Sequence, residues 1–337
     1  MLNRILVTGA AGFIGSNFVR RLREKRPEWQ VVAFDALTYA GNLENLRGLD
    51  DSPQFEFVRG DICDSEAVRA VLDTQVGAVV NFAAETHVDR SIHGSADFIR
   101  TNVMGTQVLL EQSRLSAVRR FLQVSTDEVY GSLGPEGRFT EDSPLCPNSP
   151  YSASKAAADL LVRAYHRTYG LPAVVTRCSN NYGPYQFPEK VIPLFITNLL
   201  EERKVPLYGD GLNVRDWIHV QDHCDALLAV LERGQPGEVY NIGAGNEMTN
   251  LELTHALLRE LRHDASMIHY VKDRLAHDRR YAVDTRKIQQ ALNWRPQIDF
   301  ADGLRRTVQW YRENQAWWRA IKSGAYRTYY ERQYGQD

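Results

Sequence analysis

Short β-branched runs alternate with longer amphipathic stretches through the first half of this 337-residue chain, and that rhythm constrains the fold more than any single residue does. Ile5 to Thr8, Val31 to Phe34, Phe55 to Val58, Ala78 to Phe82, Phe121 to Ser125 and Ala173 to Arg177 read as strands, with helical patterns between them. Parallel neighbours need helix-length crossovers, so this repetition predicts a parallel sheet covered on both faces. The expected class is α/β: a Rossmann-type doubly wound parallel sheet with a smaller, interleaved C-terminal substrate domain. After Asn180 the rhythm weakens at Tyr182-Gly183-Pro184; Asp216 to Ile242 resumes it, and Leu251 to Trp318 supplies amphipathic helices. These shifts divide the chain into a first domain, 1–180 plus 216–247, and a second, 181–215 plus 248–330.

Composition removes several function classes. Forty Lys and Arg stand against 42 Asp and Glu, a formal charge of −2, with no concentrated basic face, so no nucleic-acid partner is expected. Hydrophobic residues at 43% and charged residues at 24% argue against disorder and coiled coil. No apolar stretch reaches the length of a membrane span, and Met1 to Arg4 leads into a strand without a signal-peptide core. The expectation is a cytoplasmic protein with no membrane partner. Cys63, Cys146, Cys178 and Cys224 lie far apart without a C-x-x-C pair, which predicts free thiols. His219 and His223 have the i, i+4 spacing of metal ligands but lack the adjacent Glu of a zincin motif; they read as a satisfied structural pair, and no metal is expected. The absence of a G-x-S-x-G elbow and of a Walker lysine removes serine hydrolases and P-loop enzymes.

The first strand runs into Gly9, Gly12 and Gly15, with Phe13 and Ile14 opening a helix. Glycines there let the backbone turn tightly and approach a pyrophosphate, which the helix N-terminus then meets. Twenty residues after Gly15 the second strand ends at Asp35, a carboxylate suited to ribose hydroxyls and repulsive to the extra phosphate of NADP, so the expected cofactor is NAD. Asp61 and Ile62 follow the third strand, and Phe82, Ala83 and Ala84 the fourth, at the strand ends where ligands of such sheets bind. Asp61 reads equally as an adenine contact or as the cap of a helix beginning at Asp64 or Ser65.

Tyr151 and Lys155 form Y-x-x-x-K on a helical stretch, a spacing that sets both on one face. A phenol of pKa ~10 acts as a base near neutrality only if cations favour its phenolate, a role open to Lys155. Thr126, Asp127 and Glu128 bring a hydroxyl and two carboxylates to one strand end. Adjacent carboxylates in a cleft push their pKa values apart, which suits elimination of water; the competing reading is a solvated turn cap.

These features resemble the extended short-chain dehydrogenase/reductase superfamily. More narrowly, Asp35 to Asn42, Ala83 to Ser91, Ser125 to Gly131 and Asn180 to Gln186, with Arg215-Asp216-Trp217 and the tail Trp317-Trp318, Lys322-Ser323-Gly324, resemble the dTDP-glucose 4,6-dehydratase family over nearly the whole chain. The resemblance implies a lyase that oxidises a nucleoside-diphosphate hexose at carbon 4, eliminates water across carbons 5 and 6, and returns hydride to carbon 6. Tyr151 would take the 4-hydroxyl proton, Thr126 hold that oxygen, Glu128 act as base at carbon 5, and Asp127 act as acid at the 6-hydroxyl. It adds Leu37, Thr38 and Thr101 to the cofactor set.

For the substrate it implies Thr86 near the sugar, Asn180 and Lys190 near the diphosphate, Asn181 and Val191 beside them, Pro206, Leu207 and Tyr208 around the base, and Asn250, Arg274, His277 and Asp278 nearby. Arg215 is implied on phosphate, where a guanidinium fork fits bidentately; an ion pair with Asp216 or a neighbouring acid is the alternative. Asn250 also reads as a helix cap before Leu251. One stretch departs from the family pattern: Leu275-Ala276 stand where Pro-Gly is usual, so this loop should lose a fixed and a positive φ and take another path. Helices Asn102 to Leu115 and Ser154 to Tyr169 resemble the pair that builds a four-helix homodimer in this superfamily. The rival functions are an NAD-dependent epimerase or decarboxylase sharing the Tyr-Lys pair, and a non-catalytic NAD-binding regulator.

Overall fold

The computed structural model describes residues 3–323, so the end of the expected second domain, 324–330, and Gly324 of the tail lie outside the described residues. In chain order the strands are β1 (Arg4–Thr8), β2 (Gln30–Asp35), β3 (Phe55–Arg59), β4 (Ala78–Asn81), β5 (Arg120–Thr126), β6 (Ala173–Cys178), β7 (Asn180–Tyr182), β8 (Val205–Tyr208), β9 (Val214–His219), β10 (Val239–Ile242), β11 (Glu247–Thr249) and β12 (Ile268–Val271). The helices are α1 (Phe13–Lys25), α2 (Ser65–Leu72), α3 (Val88–His93), α4 (Ala96–Phe98), α5 (Thr106–Leu115), α6 (Pro150–Tyr169), α7 (Val191–Leu200), α8 (Val220–Arg233), α9 (Asn250–Leu261), α10 (Arg286–Leu292), α11 (Phe300–Glu313) and α12 (Gln315–Lys322).

Seven parallel strands form the main sheet in the order β10-β6-β5-β4-β1-β2-β3. The order reverses between β1 and β4, and the crevice outside the strand ends at such a switch point is where these sheets bind ligands. Both faces are buried: Ile5 and Val7 pack with Phe18, Val19 and Leu227, while Leu6 packs with Val79, Leu109 and Val162 on the other side. That two-sided burial explains the near-continuous apolar strands. Ile288, Leu292 and Trp294 join the first of these cores.

The remaining strands form small sheets, β11-β9-β7 and β12-β8. β9 joins β7 and β11, whereas α8 and β10 return the chain to the main sheet. A third core, including Ile192, Trp217, Leu253, Leu257, Val308 and Trp318, sits under α7, α9 and α11.

Local signals set the helix that carries the Tyr-Lys pair. Ser149 caps α6 through reciprocal bonds with Ser152, Pro150 occupies the first turn, and Gly170 ends the helix at φ +72°. The helix expected from Asn102 instead begins within a π-helical segment, Ile99–Gly105, between α4 and α5. The wider turn carries Thr101 to the cleft and Asn102 inward, where its amide bonds both the Glu85 backbone and Ser154.

Candidate active site

A cleft of about 580 Å³ opens at the switch point. The glycine loop forms its floor with almost no room for side chains. Gly9 takes φ +64°, and a Cβ there would approach Ala83 N to 2.7 Å; one on Gly15 would overlap the Gly9 carbonyl oxygen. Gly12 caps α1 without a side-chain bond, so the first-turn amides, which have no intrahelical acceptor, remain available to an anion in the cleft lined by Phe13 and Ile14. The loop therefore fits a dinucleotide pyrophosphate. Asp35 ends β2 with its carboxylate accepting from Ala11 N at 2.9 Å and Leu37 N at 2.8 Å, tying the loop to the strand end. Burial raises its pKa.

Thr38, Asp61, Ile62, Phe82, Ala83, Ala84, Thr86, Thr101, Thr126, Asp127, Glu128, Tyr151, Lys155, Asn180, Asn181 and Lys190 line the same cleft. Asp61 does not cap α2; Asp64 does, accepting from Glu66 N and Ala67 N. Asp61 instead accepts from Cys63 N and pairs with Arg100 at 2.8 Å.

At the end of β5 the two carboxylates meet different surroundings. Asp127 is 2% exposed, and its Oδ2 makes no hydrogen bond among the described residues. Burial first, then Glu128 and Asp216, push its pKa well up. Burial also raises Glu128, but Arg274, Lys190 and Arg215 pull it back. The solvated turn cap is thus not what forms: Thr126 caps the turn after β5, its hydroxyl accepting from Glu128 N at 3.3 Å.

Tyr151 is buried, with its phenol pushed well up by burial and by Glu128, Cys178 and Asp127, an effect that a hydrogen bond with Thr126 partly offsets. Lys155 shares the helix face but donates from Nζ to Val124 O at 2.8 Å, and burial lowers its pKa.

Leu37, Val191, Pro206, Leu207, Tyr208, Arg215, Asn250, Arg274, His277 and Asp278 lie outside that lining. Arg215 is buried with no carboxylate partner among the described residues. It donates to Val214 O at 2.7 Å and Asp278 O at 2.9 Å, and its guanidinium lies 4.3 Å over Tyr281. Asp216 does not pair with it, because its carboxylate accepts from Ala244 N and Asn246 N. Asp278 is held from both sides by Asn148 Nδ2 and Tyr281 OH. Lys190 Nζ donates to Thr86 O, Tyr208 OH donates to Asp89 at 3.4 Å, and Arg274 lies 3.7 Å from the other Asp89 oxygen. Thr249, rather than Asn250, caps α9. The loop after β12 keeps its positive φ in spite of its sequence: Ala276 adopts φ +50°, and His277 Nδ1 closes the turn on Asp273 at 2.6 Å.

His219 and His223 each use one ring nitrogen. His219 Nδ1 accepts from Gln221 N at the start of α8, and His223 Nδ1 bonds Asn181 Oδ1 at 2.8 Å. Their Nε2 atoms make no hydrogen bond among the described residues, so the pair expected to be satisfied is only half satisfied. Burial lowers the two rings to about 4 and about 3. Glu85, Arg100, Ser125, Gln186 and Glu189 also line the cleft. Their residue types carry no signal alone; Glu85, Ser125 and Gln186 fall inside runs that bear the family resemblance.

A parallel sheet with this strand order, a glycine cradle at its switch point and a Tyr-Lys pair beside it define an extended short-chain dehydrogenase/reductase. The family model described as GDP-mannose 4,6 dehydratase matches residues 6–307. The dTDP-glucose 4,6-dehydratase of Streptomyces niveus is 56% identical over 324 residues, covering 95% of this chain and 96% of its own. A structure of the Streptomyces venezuelae dTDP-glucose 4,6-dehydratase, solved with NAD and dTDP, aligns with a TM-score of 0.92 at 56% identity, covering 95% of this chain and all of that one. The UDP-glucose 4-epimerase of Thermotoga maritima, solved with UDP-glucose, shares the fold at 32% identity and a TM-score of 0.86, covering 93% of this chain and 99% of that one. The chain belongs to the dTDP-glucose 4,6-dehydratase family.

Proposed function

We propose that the protein dehydrates dTDP-glucose to dTDP-4-keto-6-deoxyglucose and water. The observation that carries this reading is the buried Asp127-Glu128 pair beside Tyr151, with unlike environments for its two carboxyls. Bound NAD supplies a hydride acceptor at carbon 4 and a donor at carbon 6, so the cycle is redox-neutral. Tyr151 removes the 4-hydroxyl proton and Thr126 holds that oxygen. Lys155 supplies the cation that favours phenolate and a donor toward the nicotinamide ribose. The carbon-4 ketone acidifies the carbon-5 hydrogen, which Glu128 removes. Asp127, whose burial and acidic neighbours favour its protonated form, gives its proton to the departing 6-hydroxyl. Three nearby cations favour the charged form of Glu128, which suits the base. Asp35 with Leu37, Thr38, Asp61, Ile62 and Thr101 serves the adenosine side, and Arg215, Asn180 and Lys190 serve the diphosphate.

Incubation with dTDP-, UDP- and GDP-hexoses tests this. The dTDP-glucose product should lose one water and gain solvent deuterium at carbon 5; an unchanged mass refutes dehydration and favours the epimerase reading.

We also infer a cytoplasmic homodimer divided as 1–180 plus 216–247 and 181–215 plus 248–330. Four unpaired cysteines suit a reducing compartment. Among the described residues no helix is long and apolar enough to cross a membrane. Exposed Met104, Leu115, Leu160 and Tyr169 lie within Asn102 to Leu115 and Ser154 to Tyr169, the adjoining stretches expected to face a second copy.

A further inference from the structure

The glycine loop is held by a residue from the far end of the chain. Trp317 on α12 donates from Nε1 to Asn45 Oδ1 at 2.9 Å, across 272 positions of sequence. Asn45, which is buried, donates from Nδ2 to the carbonyl oxygen of Ala11 at 2.8 Å. Chemistry fixes the orientation of this amide. An indole nitrogen only donates and a carbonyl oxygen only accepts, so Asn45 satisfies both in one flip state. The Ala11 carbonyl also accepts from Asn42 N, and Ala11 N donates to Asp35, so the residue is pinned on both sides.

The Ala11 carbonyl belongs to the same planar peptide as Gly12 N–H, and Gly12 is the cap of α1. Fixing that peptide fixes the aim of the first-turn amides at the cleft. α12 is itself anchored in the third core: Trp318 is fully buried there and donates to Tyr311 O at 2.8 Å. Trp317 packs between Trp310 and Tyr185, with ring centroids 5.1 and 6.1 Å away.

We propose that Trp317, acting through Asn45, is a positioning residue for the dinucleotide loop, so that retention of NAD depends on α12. This rests on the NAD-dependent reading above. Trp317→Phe keeps a smaller aromatic ring and removes the indole donor, leaving Asn45 Oδ1 unpaired. Full-length protein loaded with NAD is passed through rapid gel filtration and its NAD content followed in time, with Tm measured alongside. Loss of one such bond predicts NAD release about fivefold faster. Asn45→Leu should do the same or more, and the double variant should add nothing to Asn45→Leu, because both lie on one relay. Trp310→Phe, in the same aromatic cluster but without the Asn45 bond, should release NAD as the parent does.

NAD release from Trp317→Phe at the parental rate overturns the proposal. So does full additivity with Asn45→Leu, or equal acceleration by Trp310→Phe, which would assign the effect to packing. A parent protein that binds no NAD would refute the functional reading itself, and this inference with it.

Discussion

Asp127→Asn separates proton donation from every other role of that side chain. The amide has the shape of the acid, and its Oδ1 still accepts from the Thr126 hydroxyl, a contact of 3.3 Å. If Asp127 is neutral in the folded protein, the substitution removes no charge and should cost less than about 1 kcal/mol. A chain of 337 residues has an unfolding entropy of roughly 0.7 kcal/mol/K at ~2.1 cal/mol/K per residue, so the Tm should move by less than about 2 °C. Turnover should respond far more. General acid catalysis is worth about 10²- to 10⁴-fold, or ~3–5 kcal/mol of barrier.

The assay is incubation with dTDP-glucose in deuterated buffer, following the near-ultraviolet absorbance of reduced nicotinamide and the deuterium content of recovered sugar. Asp127→Asn should oxidise the substrate, exchange carbon 5 through the intact Glu128 and accumulate reduced cofactor, with little loss of water. Glu128→Gln should abolish the exchange. The pH dependence has a definite sign. A carboxyl raised above its ordinary value of 3.8 binds protons in the folded state that the unfolded chain has released. Stability therefore falls as pH rises from that ordinary value through the raised one, and Asp127→Asn should remove that slope. Turnover of the parent should fall over the upper part of the same window. Asp127→Asn turnover within threefold of the parent, or a Tm loss of many degrees, refutes the assignment of a neutral acid.

Gly15→Ala drives a Cβ into the Gly9 carbonyl, so the purified variant should carry no NAD by absorbance or chromatography. Asp159→Ala leaves the Arg177 guanidinium buried without its 2.9 Å partner and should cost ~3–5 kcal/mol, a fall in Tm of about 4–7 °C that Asp159→Ala with Arg177→Met partly restores. Met104→Glu and Leu160→Glu, at two exposed apolar positions, should halve the mass seen by light scattering if these helices face a second copy. Asp35→Ala deletes the acceptor for Ala11 N and Leu37 N; it should weaken NAD binding and narrow the preference over NADP, read by titration with both.

The parallel sheet was legible because its signal is local and repeated: each strand is a short apolar run, and both faces are buried. The glycine cradle was legible because Gly9 and Gly15 sit where a Cβ has no space. What the sequence left undecided depended on side-chain partners. Arg215 reads as a phosphate ligand with an ion pair to Asp216 or a neighbouring acid as its competitor, and only the fold assigns Asp216 to the amides of Ala244 and Asn246. Ala276 reads as a residue that avoids positive φ, yet it adopts φ +50°. The Ala cost there, about 1 kcal/mol, is small enough for the closing His277–Asp273 contact to offset. The bonding of Lys155 to a strand carbonyl, and the link from Trp317 to the glycine loop, join positions whose spacing carries no pattern.

The Asp-Glu pair shows where the missing information resides. Both residues open the 3-10 turn Asp127–Tyr130 that follows β5, so sequence carries their adjacency and nothing about their difference. Successive residues of a 3-10 turn leave its axis about 120° apart. On one side Asp127 meets burial, Glu128 and Asp216 of β9. The other faces Lys190 at the start of α7, Arg215 on β9 and Arg274 in the loop after β12, all outside the main sheet. The chemical distinction between acid and base is therefore made by the small sheets and their loops. It follows that removing a remote cation should change the chemistry, not only substrate affinity. Arg274→Ala withdraws the largest of the charges that favour ionised Glu128, so the carbon-5 exchange step should require higher pH than in the parent. Substrate binding alone does not produce such a shift: exchange that keeps the parental pH profile while KM rises would confine Arg274 to binding.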